Sequence, residues 1–213
     1  MRIACVSAAE FEIEWLLGHL DSLCRHKVGR GRLWLGELGP HSLALFCCGV
    51  GPENARLGMQ VFSPAFAAQR VYHLGVCGSL ADGLEPGTPV LAGSVVSSYA
   101  PGEQAVGLEL PAAEELLQAA PGLPVRRELL LTHREPVLSE EERASLNRRY
   151  GASCVDMEAW EVAVSCRDAG VPLTVIKSVS DMAAADALSE FSRHSRRAAE
   201  TSCKLVYGLM LHR

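Results

Sequence analysis

Residues 171–183 read VPLTVIKSVSDMA. A nearly continuous apolar run is the pattern of a β-strand covered on both faces, and here it ends by delivering Ser180 and Asp181 to a loop. A strand buried on both sides needs helices on both sides, so this run argues for an α/β fold around a central sheet. The rest of the chain repeats the alternation. Strands are predicted at 2–7, 32–38, 42–48, 70–74, 89–97, 128–132 and 173–178, with helices at 10–24, 53–66, 112–119, 139–150, 158–169 and about 187–211. Ser139 and Glu142 form a capping-box pattern at the start of one helix. There is no internal repeat or linker, and the Gly/Pro-rich stretch 100–123 reads as a surface excursion, so residues 1–213 are expected to form one domain.

Composition narrows the function classes. With 48% apolar and 21% charged residues the chain has the material for one sizeable core. The net charge is −5, from 20 Lys+Arg against 25 Asp+Glu, and no basic run interleaves with aromatics, so nucleic acid is not the expected partner. No window approaches a membrane span, and the N-terminal MRIACVSAAEFEIEW meets acids before any signal-like apolar region, which suggests a cytoplasmic protein. The eight cysteines are scattered, without a C-x-x-C pair, and read as reduced, buried thiols. No histidine lies at zinc-ligand spacing from a cysteine pair, so neither a metal nor an organic cofactor is expected.

In an open α/β sheet, ligands bind at the carboxyl ends of strands. Glu10, Glu12 and Glu14 follow the first strand, where acids also suit a helix N-terminus. The segment CCGVGPENA (47–55) includes Gly51 and could bring backbone N–H groups toward an oxygen-rich ligand, or be a plain tight turn. HLGVCGSLADGL (73–84) holds Gly75 and Val76, and its Cys77 sits where a nucleophile elbow would carry a thiol. Against a thiol hydrolase, Ser79 replaces the elbow's second glycine, and turn residues follow where a helix is needed. ASCVDMEAW (152–160) places Asp156 and Glu158 around Met157. Acids at several strand ends, without a metal motif, suggest a site that moves protons and holds hydroxyls with carboxyl groups.

MRIACVSAAEFEIEWL, GVGPENA, LGVCGSL, VDMEAWEVA and SVSDMA, in this order, resemble the nucleoside phosphorylase and nucleosidase superfamily over nearly the whole chain. The resemblance is strongest to the hydrolytic branch of 5′-methylthioadenosine/S-adenosylhomocysteine nucleosidases, futalosine hydrolases and hopanoid-associated nucleosidase-like proteins. It implies a three-layer α/β/α fold with a mixed central sheet, a purine nucleoside substrate and a homodimer, with Trp160 placed either in the contact surface or in the core. It also implies roles. Asp181 matches the acid that protonates the purine at N7, with Ser180 orienting it. Glu158 matches the acceptor of the ribose 2′- and 3′-hydroxyls, with Met157 against the sugar face. Glu12 matches the residue that positions or activates the attacking water, and Gly51, Gly75 and Val76 fall in the substrate-binding loops. Asp156 is left as a structural acid.

The sequence departs from the phosphorylase pattern. The Arg and Ser/Thr of a phosphate cradle are absent, with His73 and Val76 in their place, and the acid trio after the first strand would repel an anion. Hydrolysis of a 5′-modified adenosine-type nucleoside is therefore favoured over phosphorolysis. A non-catalytic nucleoside-binding protein is the other alternative, motivated by Val76 and by the altered base segment LLLTHREPVL (129–138). In that segment Thr132, His133 or Arg134 would touch the base, or else the strand simply leaves into an exposed turn. The segment 97–110, which in the family borders the 5′ substituent, is short here.

Overall fold

The structure is a computed structural model that describes residues 1–100 and 107–211. In chain order it comprises β1 (Arg2–Ser7), a 3₁₀ turn (Glu10–Glu12), α1 (Glu14–Leu17), β2 (Asp21–Val28), β3 (Gly31–Leu38), β4 (His41–Cys47), α2 (Pro52–Phe66), β5 (Arg70–Ser79) and β6 (Pro89–Ser97). There follow β7 (Leu108–Glu109), α3 (Pro111–Ala119), β8 (Arg126–Thr132), α4 (Glu140–Tyr150), β9 (Cys154–Asp156), α5 (Ala159–Asp168), β10 (Leu173–Asp181) and α6 (Ala187–Leu211). The three-layer α/β/α architecture expected from the resemblance is present, and the sheet is mixed. Its strands run β10-β6-β8-β9-β5-β1-β4-β3-β2, and β10 also pairs with β5. β5 lies parallel to both β1 and β10, so the carboxyl ends of these three strands open on one side.

The apolar runs explain the core. β10 is buried from Leu173 to Ser180, and β1 from Ile3 to Ser7, as strands with helices on both faces must be. α2 packs on α5, while α6 lies along β10 and β5 with α1 against it. Trp160 is half-buried against the main core cluster. No helix among the described residues is long and apolar enough to cross a membrane.

Several expectations need correction. The helix expected over 10–24 is instead the 3₁₀ turn, the four-residue α1 and the strand β2. β2 is an edge strand whose side chains are mostly exposed, held by its antiparallel ladder to β3, so hydrophobic periodicity could not reveal it. β5 continues past residue 74 to Ser79, because Gly75 and Gly78 are accommodated inside the strand, and β10 likewise extends to Asp181. Only half of the capping box forms: the Ser139 hydroxyl accepts from the Glu142 N–H at 3.2 Å, while the Glu142 carboxylate stands 3.5 Å from His133 Nε2. Seven cysteines are buried as expected, but Cys24, on the edge strand, is exposed.

Candidate active site

β10 runs in register with β5 until its end, where Val179 opposes Cys77 and Asp181 opposes Gly78. Ser180 is thus the extra residue of a bulge, and a bulge re-aims the side chain that follows it. The Ser180 hydroxyl lies 2.6 Å from Asp181 Oδ2 and 3.2 Å from the Cys77 carbonyl, and the Ala183 N–H donates to Asp181 Oδ1 at 3.0 Å. A β-carbon at Gly78 would sit 3.0 Å from that same Oδ1, which is why the facing residue has none. Burial raises the Asp181 carboxyl above its ordinary value, and the hydrogen bonds from Ser180 and Ala183 only partly oppose it. No cation pairs with Asp181 among the described residues.

Glu12 is placed by the 3₁₀ turn after β1. Its Oε2 accepts from the N–H groups of Ala8 and Ala9 at 2.8 and 2.9 Å, and its Oε1 from the Val76 N–H at 3.0 Å. Gly75 lies directly behind: its φ is +142°, and a β-carbon there would collide with the Glu12 carboxylate. Each carboxylate oxygen retains further acceptor capacity toward the cavity. Glu10 and Glu14 turn away to pair with Arg32 and Arg196, each at 2.5 Å.

The β9–α5 junction carries the remaining acids. Asp156 is buried and accepts from Thr132 Oγ1 at 2.9 Å and from the Ala159 N–H at 3.0 Å. Lys177 Nζ, itself buried within β10, stands 3.2 Å from Asp156 Oδ2, and His73 Nε2 stands 3.5 Å from it. His73 donates through Nδ1 to the Val6 carbonyl at 3.0 Å, which fixes its tautomer when neutral. Burial alone would raise Asp156, but Lys177, His73 and Thr132 together take its carboxyl down to about 2. Burial would lower Lys177, yet Asp156, Glu12 and Glu158 hold its ammonium above the usual range. Burial and Lys177 keep the His73 imidazole below its ordinary value.

Glu158 accepts from the Gly51 N–H at 2.7 Å through Oε1. Burial and the neighbouring Asp156 push its carboxyl up to about 8, against the pull of Lys177.

These elements surround a cavity of about 290 Å³. Glu12, Val76, Met157, Glu158, Ser180 and Asp181 all line it. Gly51 and Gly75 do not line it; the Gly51 N–H holds the Glu158 carboxylate, and Gly75, lacking a β-carbon, leaves room for the Glu12 carboxylate. Thr132, His133 and Arg134 are also absent from its walls. Thr132 is bonded to Asp156, His133 Nδ1 to the Ser98 hydroxyl at 2.7 Å, and Arg134 lies over the Tyr99 ring at 4.5 Å. The next four residues, Glu135 to Leu138, form that wall instead. Within the segment 97–110, residues 101–106 lie outside the described residues.

Cys77 touches the cavity, but it sits inside β5, not on an elbow, and its interaction with Cys154 together with burial holds its thiol well above its ordinary value. It is no thiolate nucleophile. Sequence reasoning missed Lys177 and the apolar mouth formed by Phe11, Val50, Leu138, Leu188 and Phe191. A lysine inside the run LTVIKSVS was the available clue, since a charge in a doubly covered strand needs a buried partner.

A family model described as the phosphorylase superfamily matches residues 2–210. A 5′-methylthioadenosine/S-adenosylhomocysteine nucleosidase of Actinobacillus succinogenes is 27% identical over 226 residues, covering 99% of this chain and 98% of the relative. A futalosine hydrolase mutant of Helicobacter pylori has a similar structure, with a TM-score of 0.92 at 22% identity and full coverage of both chains (100% each). A 5′-methylthioadenosine/S-adenosylhomocysteine nucleosidase from Neisseria meningitidis, in complex with methylthio-immucillin-A, has a TM-score of 0.88 at 26% identity over 98% of each chain.

Proposed function

The chain belongs to the phosphorylase superfamily, and from that premise we propose that it is a purine nucleosidase, hydrolysing the N-glycosidic bond of a 5′-modified adenosine-type nucleoside. The observation that carries this reading is the convergence of Glu12, Glu158 and Asp181 on one cavity. The nucleosidase and futalosine hydrolase relatives support it.

Cleavage leaves positive charge on the ribose and sends the bond's electron pair to the base, so the enzyme must protonate the base, hold the sugar and deliver water. Asp181 is the acid, giving its proton to the purine N7. A carboxyl raised by burial and without a cation beside it retains that proton at higher pH than an ordinary aspartate. Ser180 orients it and can turn its own proton to the Cys77 carbonyl. Glu158, with Oε1 held by Gly51, offers Oε2 to the ribose hydroxyls, and Met157 packs against the sugar. Glu12, locked by three backbone N–H groups, takes the proton of the water that attacks the anomeric carbon. Water is favoured over phosphate because the ionisable side chains lining the cavity are all acids. We also propose a homodimer, supported by the exposed Leu57 and Val61 of α2, and a cytoplasmic location, supported by the free thiols. Sedimentation equilibrium checks the dimer.

Incubating the protein with a panel of purine nucleosides, with and without phosphate, and following free base by chromatography tests the reaction. Release independent of phosphate is the expected result. Release that requires phosphate makes the protein a phosphorylase, and no release from any nucleoside makes it a binding protein.

A further inference from the structure

We propose that the open edge of the sheet at β2 binds an extended acidic segment of a partner protein, which adds to β2 as a further strand. The site lies outside the active-site cavity and does not depend on the nucleosidase reading.

Residues 25–32 read RHKVGRGR and contain no acid, in a chain whose net charge is −5. The fold puts this run on the rim of the sheet. β2 stands last in the sheet order, and among the described residues it pairs with β3 alone, so its other edge faces no strand. Backbone N–H and C=O groups along such an edge are a template for an added strand. The hairpin that presents them is seated on the core. Val28 opposes Gly31 across the turn Gly29–Arg30, with Gly29 at φ +58°, and a β-carbon on Gly31 would collide with the buried Phe46 ring.

Side chains set the sign of the partner. Arg25 and Lys27 are two apart in β2, so they share one face of the strand, opposite Trp34 and Arg32 of β3. Arg25, Lys27 and Arg30 are exposed, and among the described residues none of them has a carboxylate within ion-pair distance. The nearby acids are engaged: Glu53 with Arg56, and Glu10 with Arg32. Lys27 opposes Arg32 as a like charge, a cost that an anion laid beside them relieves. The basic stretch ends toward Asp21, which opposes Glu37, so the occupant's acids belong at the Arg25–Lys27 end.

Charged side chains on an edge commonly keep copies of a protein apart. Here they do so selectively. A second copy laid antiparallel about His26 would set Arg25 against Lys27, whereas a strand with acids at alternate positions meets both with opposite charge. A single-stranded nucleic acid would find the cations but no stacking platform, because Trp34 is buried, with the Arg25 guanidinium over its ring at 5.6 Å. An anionic lipid surface would use the cations and leave the row of backbone groups unpaired.

The test titrates the full chain into fluorescein-labelled octapeptides at low ionic strength, read by anisotropy. An alternating Val/Glu peptide is expected to bind and an alternating Val/Lys peptide not to. An alternating Glu/Pro peptide has the same charge but lacks half of its backbone N–H groups, and is expected to bind at least about tenfold more weakly than the Val/Glu peptide. The Val/Glu peptide is also expected to slow amide hydrogen exchange within residues 24–28. Arg25→Glu with Lys27→Glu is expected to switch the preference to the Val/Lys peptide. The milder Arg25→Gln with Lys27→Gln is expected to weaken the Val/Glu peptide about tenfold at an unchanged melting temperature. Equal binding of the Val/Glu and Glu/Pro peptides, or no added protection within residues 24–28, leaves only undirected charge attraction and overturns the inference. Tighter binding of oligothymidylate or of phosphatidylserine vesicles than of the Val/Glu peptide overturns it too, as does binding of none of these probes.

Discussion

Asp156 closes β9 and Asp181 closes β10, two strands that both pair with β5, and both aspartates border the same cavity. Their carboxyls are nevertheless driven in opposite directions, Asp156 down to about 2 and Asp181 upward. Burial acts the same way on both. The difference is the company: Asp156 has Lys177 at 3.2 Å, whereas Asp181 has only a hydroxyl and one N–H. A buried acid with a cation in reach becomes a fixed anion that braces the sheet, and one without holds its proton to higher pH. The chain makes that distinction four residues apart on one strand, with Lys177 aimed at Asp156 and Asp181 delivered past the bulge.

The contrast can be broken from either side. Asp181→Asn keeps shape and hydrogen bonds but removes the proton, and base release is expected to fall about 10²–10⁴-fold, the usual contribution of a general acid; an unchanged melting temperature separates this from misfolding. Lys177→Met leaves Asp156 buried without its cation and is expected to cost about 3–5 kcal/mol in denaturant unfolding. Adding Asp156→Asn to it is expected to return part of that loss. Thr132→Val removes the hydrogen bond to the same anion and the one that Thr132 Oγ1 accepts from the Trp160 N–H at 2.9 Å, for at least about 1.5–3 kcal/mol in the same unfolding measurement.

A pH-dependent effect comes from Glu158. The folded carboxyl titrates at about 8 against an unfolded value near 4.5, so the folded state binds the proton more tightly. Its stabilising contribution is complete below the unfolded value and is lost as pH rises toward 8, at no more than about 1.4 kcal/mol per pH unit. Melting curves between pH 5 and pH 8, compared with Glu158→Gln, isolate it, with the variant expected to show the shallower decline.

The sequence carried the buried parts of the fold well, for a physical reason. β1, β4 and β10 are written as apolar runs and α2 and α6 as long helical stretches, because burial selects those patterns. It did not carry β2, whose exposed edge strand has little hydrophobic pattern, and the acids at 10, 12 and 14 gave the appearance of a longer helix where the chain makes a tight turn and an edge. At the site, the motif residues Glu12, Met157, Glu158, Ser180 and Asp181 reach the cavity together. Thr132, His133 and Arg134 stop short of the cavity, which Glu135 to Leu138 line instead, because where a chain leaves a strand depends on pairing partners far away in sequence. Lys177 was readable only as an anomaly: its meaning depends on Asp156, which lies on another strand.

The central claim, that Asp181 is the protonated acid and Asp156 the fixed anion, is tested most directly by titrating both carboxyls in the unaltered protein with ¹³C-labelled aspartate, assigned through Asp181→Asn and Asp156→Asn. The expected result is an Asp181 signal that still reports the neutral acid at a pH where an ordinary aspartate has ionised, beside an Asp156 signal that stays ionised well below that pH. An Asp181 carboxyl that titrates at or below the ordinary value would contradict the account.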